Sequence, residues 1–196
     1  MKPRKALVSK QRAIHMYSEL WHASGCVLDA GIREKRGSSW QFLSSIVLTA
    51  FAVEAYLNHV GPLVFRCWED LERLPPLSKF KLLCETLGVT FVEGTGVRPL
   101  QTLAKLFEFR NTMAHGRSGE LKPAPELRDV TSRLDAYLGK KPLADWEKQI
   151  QTPQFARRAR EDVEKILGKL HAARTDRKEP LFTFGIGSHG ATLVEP

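Results

Sequence analysis

Cysteine is scarce in this chain: Cys26, Cys67 and Cys84 are an odd number, without paired spacing, each in a helical or apolar context. That pattern excludes a disulfide-stapled scaffold and points to a reducing compartment. No apolar stretch of signal-peptide length follows the basic start M-K-P-R-K-A-L-V-S-K-Q-R, and the apolar segment Ser44 to Val60 is interrupted by Glu54 and Asn58. The expectation is a soluble cytoplasmic protein that does not enter a membrane. Gly94, Gly96, Gly185, Gly187 and Gly190 build no strand–turn–helix phosphate fingerprint, which removes nucleotide folds of the Walker and Rossmann kinds. Internal repeats and low-complexity blocks are also lacking.

A metal-binding pattern is incomplete too. His15, Glu19, His22 and Cys26 fall at i, i+4, i+7 and i+11, and Glu19-x-x-His22 is half of a di-iron signature. The second half is missing, so an ordinary helix face is the reading, with no metal and no cofactor expected. His59, His171 and His189 have no partner at ligand spacing.

What the chain has in excess is positive charge: 30 Lys+Arg against 22 Asp+Glu, a net charge of +8. A polyanionic partner fits this balance, nucleic acid first; a soluble basic protein is the plainer alternative. At 196 residues one well-buried domain is expected.

Apolar spacing is helical through most of the length. A long N-terminal helix is predicted over Lys5 to Arg36, with Leu7, Ile14, Tyr17, Leu20, Trp21, Val27 and Leu28 as its stripe and Gly25 as a candidate kink. Ser38 or Ser39 caps a second helix that Gly61-Pro62 ends near Val60. Shorter helices follow over Val64 to Leu74, which Pro75-Pro76 stops, and from Ser78 through Leu87 to Gly88. Thr90 to Pro99 reads as a loop with a short extended piece. Pro99 starts a helix that ends at Gly116. Further helices are predicted over Pro125 to Leu138 and for a turn or two after Pro142. An amphipathic one runs from Pro153 to Arg174, whose basic face, Arg157, Arg158, Arg160, Lys165 and Lys169, is laced with Glu161, Asp162 and Glu164. The fold class expected is all-α: an antiparallel bundle of four to five core helices, plus the N-terminal long helix and the C-terminal amphipathic helix. Residues 1–174 form one domain with its core at about 38–140, and 175–196 form a flexible or docking tail.

The segment Phe107 to Arg117, F-E-F-R-N-T-M-A-H-G-R, concentrates the chemistry. Asn111 and His115 are four apart and share a helix face, with Arg110 at its flank. A neutral imidazole takes a proton from a hydroxyl, a guanidinium holds two phosphoryl oxygens, and an amide orients either partner. His115 lies in the last helical turn, where the dipole repels phosphate, so arginines must supply anion affinity. Arg117 is a candidate RNA phosphate contact or a merely solvated residue. Glu54 and Asn58, one turn apart among Val47, Ala50, Phe51 and Leu57, need polar partners, and Arg110 is the natural one for Glu54. That pair would be a core ion pair that registers two helices, or a support for a catalytic arginine.

Three stretches, A-F-A-V-E-A-Y-L-N-H-V, L-S-K-F-K-L-L-C-E-T-L-G and L-F-E-F-R-N-T-M-A-H-G-R, in this order and spacing, resemble the HEPN family, the higher eukaryotes and prokaryotes nucleotide-binding domains. The similarity spans roughly Trp40 to Leu138. It implies a helical bundle that dimerises so that two late motifs face each other across a cleft. In members that keep arginine, a polar residue and histidine, that cleft cuts RNA without a metal. The resemblance thus implies a metal-independent endoribonuclease of the kind used in toxin–antitoxin or phage-defence systems. Arg110, Asn111 and His115 would be catalytic, with RNA, a second copy of the chain and an antitoxin or regulatory protein as partners. Relatives that only bind or scaffold imply the alternative, a non-catalytic module for RNA, nucleotide or a partner protein.

Overall fold

The computed structural model describes residues 5–92, 94, 96–122, 124, 141–177, 179–185 and 187–194. The chain is mostly helical and carries one small sheet. In order the elements are β1 (Lys5–Arg12), α1 (Met16–Arg33), α2 (Ser38–Val64), α3 (Trp68–Leu71), α4 (Pro76–Thr86), α5 (Leu100–His115), α6 (Asp145–Gln149), α7 (Gln154–Ala173) and β2 (Gly187–Val194). The helix expected over Pro125 to Leu138 lies outside the described residues.

α2 is the axis of the fold: α1, α4, α5 and α7 all pack on it. It is long and apolar enough to cross a membrane by length and composition, yet half of its most apolar stretch is buried inside the protein. Ile46, Ala50, Val53, Tyr56, Leu57 and Val60 line its inner side. Against them α5 sets Leu103, Leu106, Phe107 and Phe109, and α7 sets Ala159, Val163, Ile166, Leu167 and Leu170 at the spacing of one helix face. α1 and α2 form a helical hairpin whose turn needs Gly37, at φ 76°, in the left-handed region.

Two expectations change. Lys5–Arg12 is a strand and not the start of the first helix, which begins at Met16. The apolar residues credited to that stretch, Leu7 and Ile14, are seven apart, a spacing that does not discriminate a helix from other conformations, and both lie in solvent. Lys5–Arg12 pairs instead with Gly187–Val194, antiparallel, from Lys5 opposite Val194 to Arg12 opposite Gly187. The fold is therefore mainly α, with one two-stranded sheet that the sequence reading did not expect. The stretch after residue 174 also folds back: Leu181 and Phe182 pack against the core, and the Phe182 ring stacks on Trp21 at 4.2 Å.

The second change concerns Gly61-Pro62, which does not end α2. The helix runs on to Val64, because Pro62 sits in the final turn, where its missing N–H costs one hydrogen bond, and the Phe65 N–H closes the turn on the Gly61 carbonyl at 2.8 Å. Gly61 has a different task. The Trp68 indole covers it so closely that an added Cβ would stand 2.4 Å from ring carbons. α1 likewise passes Gly25 unbroken.

Gly61→Ala should therefore destabilise the protein by about 1–3 kcal/mol through overpacking. The check is a lowered urea midpoint at unchanged slope. A midpoint at or above that of the parent, as the roughly 1 kcal/mol helix preference of alanine alone would give, refutes this account of Trp68.

Candidate functional site

α5 ends where its sequence says it should, at His115, with Gly116 leaving the helix in an extended conformation. Its inner face is anchored by Leu103, Leu106 and Phe109, so the residues between them point outward. Asn111, His115 and Arg117 are all exposed, and Arg110 is mostly covered. The structure thus brings Asn111 and His115 to one accessible helix end, with Arg117 two residues beyond.

Arg110 does not swing out to join them. Its Nη2 donates to the Glu54 carboxylate in a short ion pair, its Nη1 donates to Asn111 Oδ1 at 2.9 Å, and its guanidinium lies 5.8 Å from the centre of the Phe51 ring. Arg110 is 18% exposed and Glu54 24%. The Glu54–Arg110 pairing expected from burial is present, and Asn111 is held by the same guanidinium. Arg110 Nε is buried and finds no partner among the described residues.

Asn58 serves a residue the sequence reading passed over. Lys79, on α4, is 2% exposed; its Nζ donates to Asn58 Oδ1 at 2.8 Å and lies 3.9 Å from Glu54 Oε1. The Trp68 ring is 6.0 Å away. Glu54 therefore stands between two cations from two different helices. A legible signal existed: Lys79 is four residues before Leu83 and next to Phe80, on the apolar face of α4. A lysine on such a stripe has to find a counter-charge.

The sequence also concealed a histidine cluster. His59 and His171, which had no partner at ligand spacing, join His15 from the α1 set in one cleft of about 160 Å³, lined also by Tyr17, Leu63, Arg174, Asp176, Arg177 and Glu179. His15 and His59 have ring centres 5.3 Å apart. Arg174 is clamped by Asp176 through two bonds of 3.0 and 2.9 Å. Burial pushes the Tyr56 hydroxyl up to about 12 despite the hydrogen bond from Arg174. Burial also holds the His59 pKa below its ordinary value, and the Arg174 guanidinium and His15 add to the effect. The cluster pins the chain after α7. His15 Nδ1 is 3.3 Å from the Thr183 carbonyl, His22 Nε2 3.0 Å from that of Phe182, and His171 Nε2 2.9 Å from that of Glu179. With Glu19 bonded to Arg12, three of the four residues at metal-ligand spacing, His15, Glu19 and His22, are engaged in separate contacts, and Cys26 is exposed. Among the described residues no group of three or more His, Cys, Asp or Glu side chains is arranged to hold a metal ion.

Comparison with protein families, with curated proteins and with solved structures gives no match to this chain.

Two outcomes follow from these contacts. Glu54→Ala should cost about 2–4 kcal/mol, because it leaves Arg110 and the buried Lys79 without their carboxylate. Adding Lys79→Met should recover part of the loss by removing the stranded charge. Equal melting temperatures for Glu54→Ala and its parent would show that the ion pairs contribute nothing.

The second outcome is a pH dependence. Because the folded-state pKa of His59 is lowered, the unfolded chain takes up the proton first, so stability falls as pH drops through about 6.5. Melting temperature should decline between about pH 7.5 and 5.5, above the carboxylate range, and His59→Gln should flatten that decline. Parallel profiles for the two proteins would rule His59 out as the source.

Proposed function

We propose that this protein is a metal-independent endoribonuclease of the HEPN type, acting at the end of α5. The observation that carries the reading is the pairing of an accessible His115 with an arginine one turn earlier whose guanidinium is held in place by Glu54 and Asn111. The helices around α2 would form the antiparallel four-to-five-helix bundle of that family.

In the proposed reaction the ribose 2′-oxygen attacks the adjacent phosphorus while the bond from phosphorus to the 5′-oxygen breaks. A neutral His115 takes the 2′-hydroxyl proton, and an imidazolium returns a proton to the leaving 5′-oxygen. The products are a 2′,3′-cyclic phosphate and a 5′-hydroxyl end. Charge that builds on the phosphorane oxygens falls to arginine. Arg110 already balances Glu54, so it contributes a fixed, oriented N–H array more than net charge, and the exposed Arg117, with no counter-charge among the described residues, supplies further positive charge. Asn111 keeps the guanidinium oriented.

An exposed helix C-terminus is a poor phosphate site by itself, since the dipole there is negative. A second copy related by a two-fold axis would bring another His115 and Arg117, which supplies both the missing wall and a separate acid and base. The non-catalytic alternative draws on the same ion pair: an arginine committed to Glu54 is also what a purely structural residue looks like. A toxin or phage-defence role, with an antitoxin or regulatory partner, extends the same proposal.

Purified protein should cleave mixed RNA in excess EDTA and leave cyclic phosphate ends. His115→Ala should reduce the rate by about 10²–10⁴-fold with an unchanged melting temperature, because the side chain is exposed. Arg110→Ala should lower both rate and stability, so His115 gives the cleaner test. Light scattering should return a dimer. Activity that EDTA abolishes and a divalent ion restores, or full activity in His115→Ala, would overturn the mechanism; a monomer in solution would overturn the shared cleft.

A further inference from the structure

The β1–β2 ribbon has no structural reason to exist where it is. Every one of its residues is exposed, so neither face is buried against the helices. Leu7 is 70% exposed and Leu193 60%. A two-stranded ribbon without a buried face is marginal in water, because ordering its backbone costs more than its own cross-strand contacts return. Something outside the chain must complete it.

The composition of the ribbon says what. Neither strand contains an acidic residue, β1 carries Lys5, Lys10 and Arg12, and the first carboxylate in the whole sequence is Glu19. Strand alternation puts Ala6, Val8, Lys10 and Arg12 on one face, together with their cross-strand partners Leu193, Ala191, His189 and Gly187. Half of that face is cationic and half is apolar. At the cationic half Lys10 lies directly opposite His189, and with Gln11, Gly187 and Ser188 they line an open groove of about 450 Å³. Gly187 and Gly190 keep the backbone of β2 bare there, and the outer edge of each strand presents unpaired amide N–H groups. Cations, amides and a hydroxyl beside an apolar strip match a sugar–phosphate backbone with bases beside it. Arg12 is partly engaged by Glu19 at 2.9 Å, but that pair is exposed and easily exchanged for a phosphate.

We propose that the β1–β2 ribbon is an RNA-binding arm that grips single-stranded RNA outside the scissile position, through Lys10, Arg12 and the groove at His189. The choice of RNA rests on the reading of α5 as an endoribonuclease. Single-stranded RNA is favoured over duplex because the deep, narrow major groove of an A-form helix does not admit such a ribbon. The arm acts through phosphates and therefore holds RNA with little regard to sequence.

The test measures binding without turnover, by fluorescence anisotropy of a labelled mixed-sequence single-stranded RNA on full-length His115→Ala protein across a salt series. Replacing Lys10 and Arg12 together by glutamine should weaken binding roughly 10-fold near physiological salt and lower the salt slope by about 1.4, whereas Lys5→Gln, on the opposite face, should change both less. Lys10→Arg should keep both, and backbone amides of both strands should exchange more slowly when RNA is added. Unchanged affinity and slope in the double glutamine variant would overturn the arm. So would tighter binding to duplex DNA than to single-stranded RNA, or an effect of these substitutions only on phosphatidylserine vesicles or on self-association. Since no cleavage is read, a failure of the His115 mechanism appears in the EDTA assay and leaves this result to stand or fall separately.

Discussion

The position of one lysine ammonium constrains the middle of this fold. Lys79 is almost wholly withdrawn from water, where an unpaired charge would cost several kcal/mol, and its nearest counter-charge is Glu54 on another helix. Glu54 is in turn fixed by Arg110, so α4, α2 and α5 are tied at one level by a chain of charges that works only in one register. One turn along α2, Asn58 Oδ1 accepts a hydrogen bond from the Lys79 ammonium. Sliding any of the three helices by a residue would strand at least one of these groups. The hydrophobic surfaces of Leu57, Leu83 and Leu106 tolerate many packings; the ion chain selects among them.

The same economy recurs at the edges. Asp162 on α7 is buried, which by itself would raise its pKa, yet hydrogen bonds from Arg98 and Thr102 more than offset this and hold it below the usual carboxylate value. Arg98 bonds it twice, at 2.7 and 2.9 Å, and so fixes the approach to α5 against α7. Arg160 lies 3.8 Å over the Trp21 ring and donates to the Trp21 carbonyl at 2.8 Å, which joins α7 to α1. Arginines that read as a basic face on α7 are thus divided between packing and solvent.

Much of this was legible from local signals, and the failures share a cause. The bounds of α5 and α7 follow from Pro99, Gly116 and Pro153, since proline and glycine act on their own turn whatever surrounds them. The partnership of Glu54 with Arg110 could be inferred because a carboxylate on an apolar stripe demands a cation. The strand nature of Lys5–Arg12 was hidden, because its partner strand lies at the other end of the sequence and its three apolar residues, Ala6, Leu7 and Val8, are consecutive and carry no period. Gly61-Pro62 looked like a stop because the ring of Trp68, which explains the glycine, is invisible in one dimension. The histidine cluster was out of reach for the same reason: His15, His59 and His171 meet only after α1, α2 and α7 have packed. Sequence periodicity reports which face is buried and says little about which polar groups meet there.

The ribbon also sets an order of events. Ser9 and Gly190 are bonded partners 181 residues apart, so the pairing of β1 with β2 is the longest-range contact in the fold and closes a loop that contains every helix. On a ribosome β1 leaves the exit tunnel before the helices and must wait, unpaired, until β2 has been made, while the helices between them have time to assemble. β1, with Lys5, Lys10 and Arg12 and no acidic residue, therefore stays unpaired and available to polyanions while the helices form, and the strand pair closes after them.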